Sequence, residues 1–187
     1  MRIEREAEAL LRAVGERYAN LASYRDQGRV RRQNEAVAAV KFRTRFSRAA
    51  GLRFEYTRAG RTESITGLTS DPDGLMEALA GPTGDSLGAA HTIPALLLPE
   101  VSRGSWSLLQ LSAVLLIRAP SSPEASRHWA WLAGKGWAGQ VVRVALDPET
   151  LLIWRLEDDG LGKHRPHRTE YEPDTTSSVL AEEVRTS

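Results

Sequence analysis

The chain has 187 residues, 41% hydrophobic and 26% charged, with no cysteine; that length suits one core rather than two large ones. This composition excludes a disordered chain, a collagen-like repeat and a coiled-coil rod, and the lack of cysteine excludes disulfide staples, thiolate metal sites and a thiol nucleophile. The net charge of +1 hides an uneven spread, with 15 Lys and Arg against 8 Asp and Glu (+7) in residues 1–70 and 10 against 16 (−6) in 71–187.

The start, Met1-Arg2-Ile3-Glu4-Arg5-Glu6, is charged where a secretory signal needs an apolar stretch, and no run approaches the length of a membrane span. If Met1 is the true start, a cytoplasmic protein is expected. From Arg2 to about Leu21 the residues Ile3, Ala7, Leu10, Leu11, Val14, Tyr18 and Leu21 recur at spacings of three and four, which predicts an amphipathic helix over residues 1–22.

The period then changes from 3.6 to 2. Residues 24–33, 40–47 and 52–57 read as three strands of a meander joined by short turns, with Val40, Phe42 and Phe46 on one face and Lys41, Arg43 and Arg45 on the other. The Ser-Asp-Pro-Asp-Gly cluster after Thr69 marks a loop. A short helix is expected over 75–80, and a second from Asp85 or Ser86 toward Pro99, broken or kinked at Pro94. Strands resume at 113–118, 128–132, 140–146, 151–157 and 168–171, with a tight turn at Asp147-Pro148-Glu149-Thr150. The polar tail, 174–187, is expected to fray. These elements predict a single α+β domain over 1–187, an antiparallel sheet with the N-terminal helix and short central helices covering one face.

Several constellations carry a chemical reading beside a plainer one. Gly84-Asp85-Ser86-Leu87 spells the nucleophile block of GDSL esterases, but no Asp-x-x-His follows to supply the base, so helix capping by Asp85 or Ser86 accounts for it. His164 and His167, near Asp158 and Asp159, lack regular ligand spacing and read as solvated loop residues. Trp129 and Trp131 share one side of a strand. If that side is concave they line a pocket with Phe42, Phe46, Phe54 and Tyr56; otherwise these rings fill a core. Arg29, Arg31, Lys41, Arg43, Arg45 and Arg53 form a basic stripe, with Glu55 and Glu63 placed to neutralise part of it. The sequence pI near 8.1 is below that of a dedicated nucleic-acid binder, so no nucleic-acid partner is expected.

The order of Tyr24-Arg25-Asp26-Gln27-Gly28, Phe42-Arg43-Thr44-Arg45-Phe46-Ser47-Arg48, Leu52-Arg53-Phe54-Glu55-Tyr56, Ile93-Pro94-Ala95-Leu96-Leu97 and Leu146-Asp147-Pro148-Glu149-Thr150 resembles the lipoprotein-carrier superfamily of LolA, LolB and RseB type. It is closest to an uncharacterised branch predicted to be periplasmic. The resemblance runs over residues 5–173. It implies an unclosed, curved antiparallel barrel whose helices cover the concave face, with a periplasmic or envelope location if a signal segment was removed.

The resemblance also implies non-catalytic binding of an acyl chain or lipid-like group by Phe42, Phe46, Phe54, Tyr56, Leu97, Trp129 and Trp131. Arg48 takes the place of the carriers' lid-holding arginine at the rim. The alternative within the same superfamily is a protein-interaction or sensory module with a filled core, as in RseB-like relatives. Neither reading requires a cofactor.

Overall fold

The structure, a computed structural model, describes residues 2–32, 38–67, 71, 74, 92–98, 112–117, 129–136, 139–160 and 166–175. Helix α1 (Arg2–Asn20) leads into β1 (Ser23–Arg32), β2 (Val40–Ser47), β3 (Gly51–Arg58) and β4 (Arg61–Gly67). After α2 (Thr92–Leu97) come β5 (Ser112–Ile117), β6 (Ala130–Lys135), β7 (Val141–Leu146), β8 (Ile153–Asp158) and β9 (His167–Pro173). The strands form one nine-stranded sheet in the order β4-β3-β2-β1-β9-β8-β7-β6-β5, every pairing antiparallel. The sheet is curved and does not close into a barrel, leaving β4 and β5 as its edges.

The predicted strands are present with boundaries shifted by no more than three residues, and 40–47 not at all, whereas β4 has no counterpart among the predicted elements. Its sequence, RTESITG, carries a single large apolar residue, Ile65, and the strand is almost wholly exposed. An edge strand that buries neither face leaves no alternation to detect. The expected break at Pro94 is also corrected. The described helix, Thr92–Leu97, runs through Pro94 without interruption. The helix expected over 75–80, the start expected at Asp85 or Ser86, and the Gly84-Asp85-Ser86-Leu87 block lie outside the described residues.

Pairing register fixes which side chains share a face, since directly opposed residues point the same way. The inner face carries Tyr24, Val30, Phe42, Phe46, Leu52 and Phe54 from the first half, and Leu132, Val144, Leu156 and Tyr171 from the second. All are buried in one core with α1 residues Ala7, Leu11, Val14 and Tyr18, with Leu21 just past the helix end, and with α2 residues Ile93, Leu96 and Leu97. The 4-3-4-3 spacing on α1 is the predicted stripe, and the helix lies against β5 and α2. At the late turn, Asp147 Oδ1 accepts the Glu149 N–H at 2.8 Å, Asp147 O accepts the Leu151 N–H at 2.8 Å, and Leu151 takes the left-handed φ of 59°.

Gly28 sits in the seam between the halves, opposite Phe42 on one side and Tyr171 on the other. A Cβ there would stand 2.3 Å from Phe42 Cζ and 2.4 Å from Glu170 O. The bare strand lets the Phe42 ring lie over it, 5.9 Å from the Phe54 centroid and 5.6 Å from that of Tyr171. One carboxylate also enters this interior. Asp26, on the same face, accepts the Tyr24 hydroxyl at 2.9 Å and the Thr44 N–H at 3.1 Å. Desolvation outweighs these bonds and pushes its pKa up to about 6. Nearby, Tyr18 uses its hydroxyl to accept the Ile153 N–H at 3.0 Å, fastening α1 to β8.

Two outcomes are expected. Gly28→Ala lowers unfolding free energy by about 2 kcal/mol or more, the scale of overpacking against a neighbour that cannot retreat, here a backbone oxygen; urea unfolding measures it. Asp26 carries a raised folded pKa, so its stabilising contribution is complete below the ordinary value of 3.8 and is lost as pH rises through about 6. Wild type therefore loses about 1–3 kcal/mol more stability than Asp26→Asn between about pH 4 and about pH 7. Parallel urea titrations across that window test the difference.

Candidate functional site

The residues predicted to line a pocket fall into three groups. Phe42, Phe46, Phe54, Tyr56 and Leu97 do come together on the inner face, but with exposures of 3%, 4%, 0%, 9% and 0% they are core side chains. The Phe54 and Tyr56 centroids are 6.0 Å apart, and the Tyr56 hydroxyl donates to Glu63. Glu63, expected to neutralise the basic stripe, is thus turned to the inner side. It lies directly opposite Tyr56 across the β3–β4 pair.

Trp129 and Trp131 are not part of that group. Trp131 lies in the cross-strand row Trp131–Ala145–Arg155–Glu170–Arg29–Lys41, on the outer face. The expectation that these two rings meet Phe42 and Phe46 is corrected by one step of register, because Leu132, not Trp131, points inward. Their rings pack 6.3 Å apart. The buried Arg155 guanidinium lies 5.2 Å and 6.0 Å from the Trp129 and Trp131 centroids, a cation–π arrangement in a desolvated place. Arg155 also stands 3.9 Å from Glu170, which pairs with Arg168 at 3.1 Å and with Arg29.

Arg48 forms the third group. Its Nε donates to Leu21 O at 3.2 Å, and its Nη2 donates to Tyr18 O at 3.3 Å and to Ala19 O. The guanidinium therefore closes the C-terminal end of α1, whose last carbonyls lack helical partners and carry the negative end of the helix dipole. It also lies 4.8 Å from the Phe46 ring centroid. This binds the helix that covers the inner face to the end of β2.

On the outer face the charged rows differ from one another. One row reads Ser64–Glu55–Arg43–Gln27–Glu172 and another Arg31–Arg168–Glu157–Arg143, each mixing signs. The row at the end of the sheet sets three arginines side by side, Thr66–Arg53–Arg45–Arg25, with Asp174 beyond them, its N–H donating to Arg25 O at 2.9 Å. Arg53 reaches Glu55 at 2.7 Å, whereas Arg25 and Arg45 have exposed side chains with no ion pair among the described residues. An open groove of about 500 Å³ runs beside this row, lined by its three arginines together with Phe46, Leu52, Gly51 and Thr66. The stripe read from sequence contains Arg45 and Arg53 but not Arg25, whose place beside them follows only from the β1–β2 register.

Among the described residues no group of three His, Asp or Glu is placed to hold a metal. Asp158 and Asp159 instead accept the N–H groups of Gly160, at 2.7 Å, and Val141, at 2.8 Å. His164 lies outside the described residues. No described helix is long and apolar enough to cross a membrane. Replacing the Arg48 side chain is expected to loosen α1. Arg48→Ala costs about 1–3 kcal/mol in urea unfolding, and Arg48→Lys recovers only part of it, because an ammonium cannot span several carbonyls as the planar fork does.

No protein-family profile matches the chain, and no curated protein sequence matches it. Solved structures do. MucB, known from Pseudomonas aeruginosa, matches at TM-score 0.52 and 12% identity over 98% of this chain and 63% of its own, so this chain spans less than two thirds of MucB. LprF from Mycobacterium bovis matches at TM-score 0.50 and 8% identity over 90% of this chain and 92% of that one. A LolA superfamily protein, NE2245 from Nitrosomonas europaea, matches at TM-score 0.31 and 10% identity over 89% and 91%. Identities this low speak to fold, and the fold of this chain is the open, curved sheet of the LolA, LolB and RseB type.

Proposed function

We propose that this chain is a non-catalytic binding protein of the interaction-module kind, which engages a protein partner from its surface. The observation that carries the reading is the filled inner face. Phe42, Phe46, Phe54 and Leu97, the side chains best placed to embrace an acyl chain, are at most 4% exposed. Phe42 stacks on Phe54 and meets Tyr171 edge-on, and all four belong to one core with α1 and α2. Admitting a ligand there means displacing rings from a packed interior, which forfeits their contacts and costs several kcal/mol. The outer face, by contrast, offers charged side chains, and the end of the sheet at the β2–β3 turn an open groove, without rearrangement.

The fold suits that use. MucB has also been seen in complex with MucA(peri); that partner is MucB's own, and what supports the reading here is a shared scaffold that presents surfaces to other chains. The hydrophobic-carrier reading draws on the same fold and requires an inner face that opens. The two are separated by titrating delipidated protein with a fluorescent fatty acid and recording its native mass. The expected outcome is a bare chain mass with no saturable uptake. Saturable uptake that Phe46→Asp abolishes in a protein still folded, or an acyl mass retained on the native chain, overturns the interaction reading and returns the function to apolar-ligand carriage.

A further inference from the structure

We propose that the hydrogen-bonded series Tyr18–Tyr24–Asp26 is a catch that holds the last turns of α1 on the sheet while Asp26 is protonated and lets them lift, uncovering the inner face, when it ionises. This goes beyond the interaction reading, since it concerns what covers the inner face and not which surface meets a partner. Asp26 is 7% exposed on a face otherwise built of apolar and aromatic side chains, with Thr44 opposite it on β2 and Pro173 on β9. The Tyr24 hydroxyl and the Thr44 N–H donate to it. The Tyr24 ring meets that of Tyr18 edge-on, centroids 5.5 Å apart, and the two hydroxyls are hydrogen-bonded to each other. Tyr24 gives its proton to Asp26, so the bond between the phenols is donated by Tyr18, whose oxygen accepts the Ile153 N–H. One side chain of α1 is thereby linked to β8 and, through Tyr24, to the buried acid.

Among the described residues the titratable groups that face this carboxyl are phenols. Tyr18 comes from α1, Tyr24 from β1 and Tyr171 from β9, and the Asp26 charge helps push each of their pKa values up. β2 and β3 turn Phe42, Phe46, Phe54 and Tyr56 inward, Glu63 of β4 is held by Tyr56, and α2 gives Thr92 to Tyr171. The cations of these elements are engaged elsewhere. Arg25, Arg43, Arg45 and Arg53 lie on the outer face with Glu55 and Glu172. Arg48 donates to carbonyls at the end of α1, Arg17 acts on Tyr18, and Arg12 and Glu16 are exposed. A buried carboxylate with no counter-ion beside it is disfavoured, and hydration relieves it.

The backbone decides what gives way. β1 is laddered to β2 on one side and to β9 on the other, whereas α1 is held by its apolar stripe, the Tyr18 hydroxyl and the Arg48 fork. Water therefore reaches Asp26 when the Tyr18 turn lifts. With a closed-state pKa of about 6 against the ordinary 3.8, the advantage of the closed form is complete below 3.8 and is lost as pH rises through about 6. The lifted form then gains about tenfold between about pH 5 and about pH 7.5.

The chain has no cysteine, so a single introduced thiol reports alone. Val14→Cys places one on the buried stripe a turn before Tyr18, and Val144→Cys places one on the inner face of β7. Each full-length variant is treated with methyl methanethiosulfonate, and its rate is divided by that of free cysteine at the same pH. Val14→Cys is expected to react about tenfold or more faster than Val144→Cys, and its relative rate to rise about tenfold from about pH 5 to about pH 7.5. Adding Asp26→Asn, or Asp26→Ser where the amide does not fold, is expected to hold that rise within about twofold. Equal rates at the two positions mean that the helix leaves only when the whole chain unfolds, and overturn the catch. So does a rise that persists without the carboxyl, or a relative rate at position 14 that does not change with pH.

Discussion

Backbone pairing between β1 and β9 is the constraint on which the rest of the molecule depends. Without it the chain is two separate meanders, each with one apolar face and nothing opposite it. With it, the last strand joins the first, and Tyr171, Phe42 and Leu132 come to share one side. Gly28 makes the seam close enough, since its strand must admit a ring on the inner face with the Glu170 carbonyl beside it. Pairing across so much sequence carries a large loop-closure cost. The aromatic stacking at the seam is what offsets it locally.

That seam divides the molecule into two chemical sides. Inside, the sheet and α1 are held by burial and by a few directed bonds: the Tyr18 hydroxyl to β8, and the Arg48 fork to the end of the helix. Both bonds act on the last turn of α1, so the helix is anchored from each half of the sheet at nearly one point. Outside, the same strands carry arginines and glutamates in rows of mixed sign, with three arginines side by side on β1, β2 and β3 at one end of the sheet.

How much of this was legible in the residues depended on burial. Val40, Phe42 and Phe46 alternate cleanly with Lys41, Arg43 and Arg45, and the strand they predict is present with the same bounds. α1 declared itself by its 4-3-4-3 stripe. β4 was silent because it buries almost nothing. Trp129 and Trp131 misled because aromatic bulk suggests an interior, while their burial is obtained on the outer face against Arg155. Arg48 was legible as important and not as what it is, since a helix terminus several residues away in the fold leaves no mark on the strand that reaches it. The row of arginines was hidden for a related reason: a row across strands is a property of register, and register belongs to pairs of segments.

The exposed outermost strand has one more implication. β4 holds a carboxylate, Glu63, on its inward side, satisfied by the Tyr56 hydroxyl. A second molecule attempting to extend the sheet beyond β4 would bring its own apolar inner face against that negative charge and strip it of water. Such an inward-pointing acid is a gatekeeper against fibril-like stacking. It lets an unclosed sheet persist at high concentration without the closure that a barrel uses for the same end.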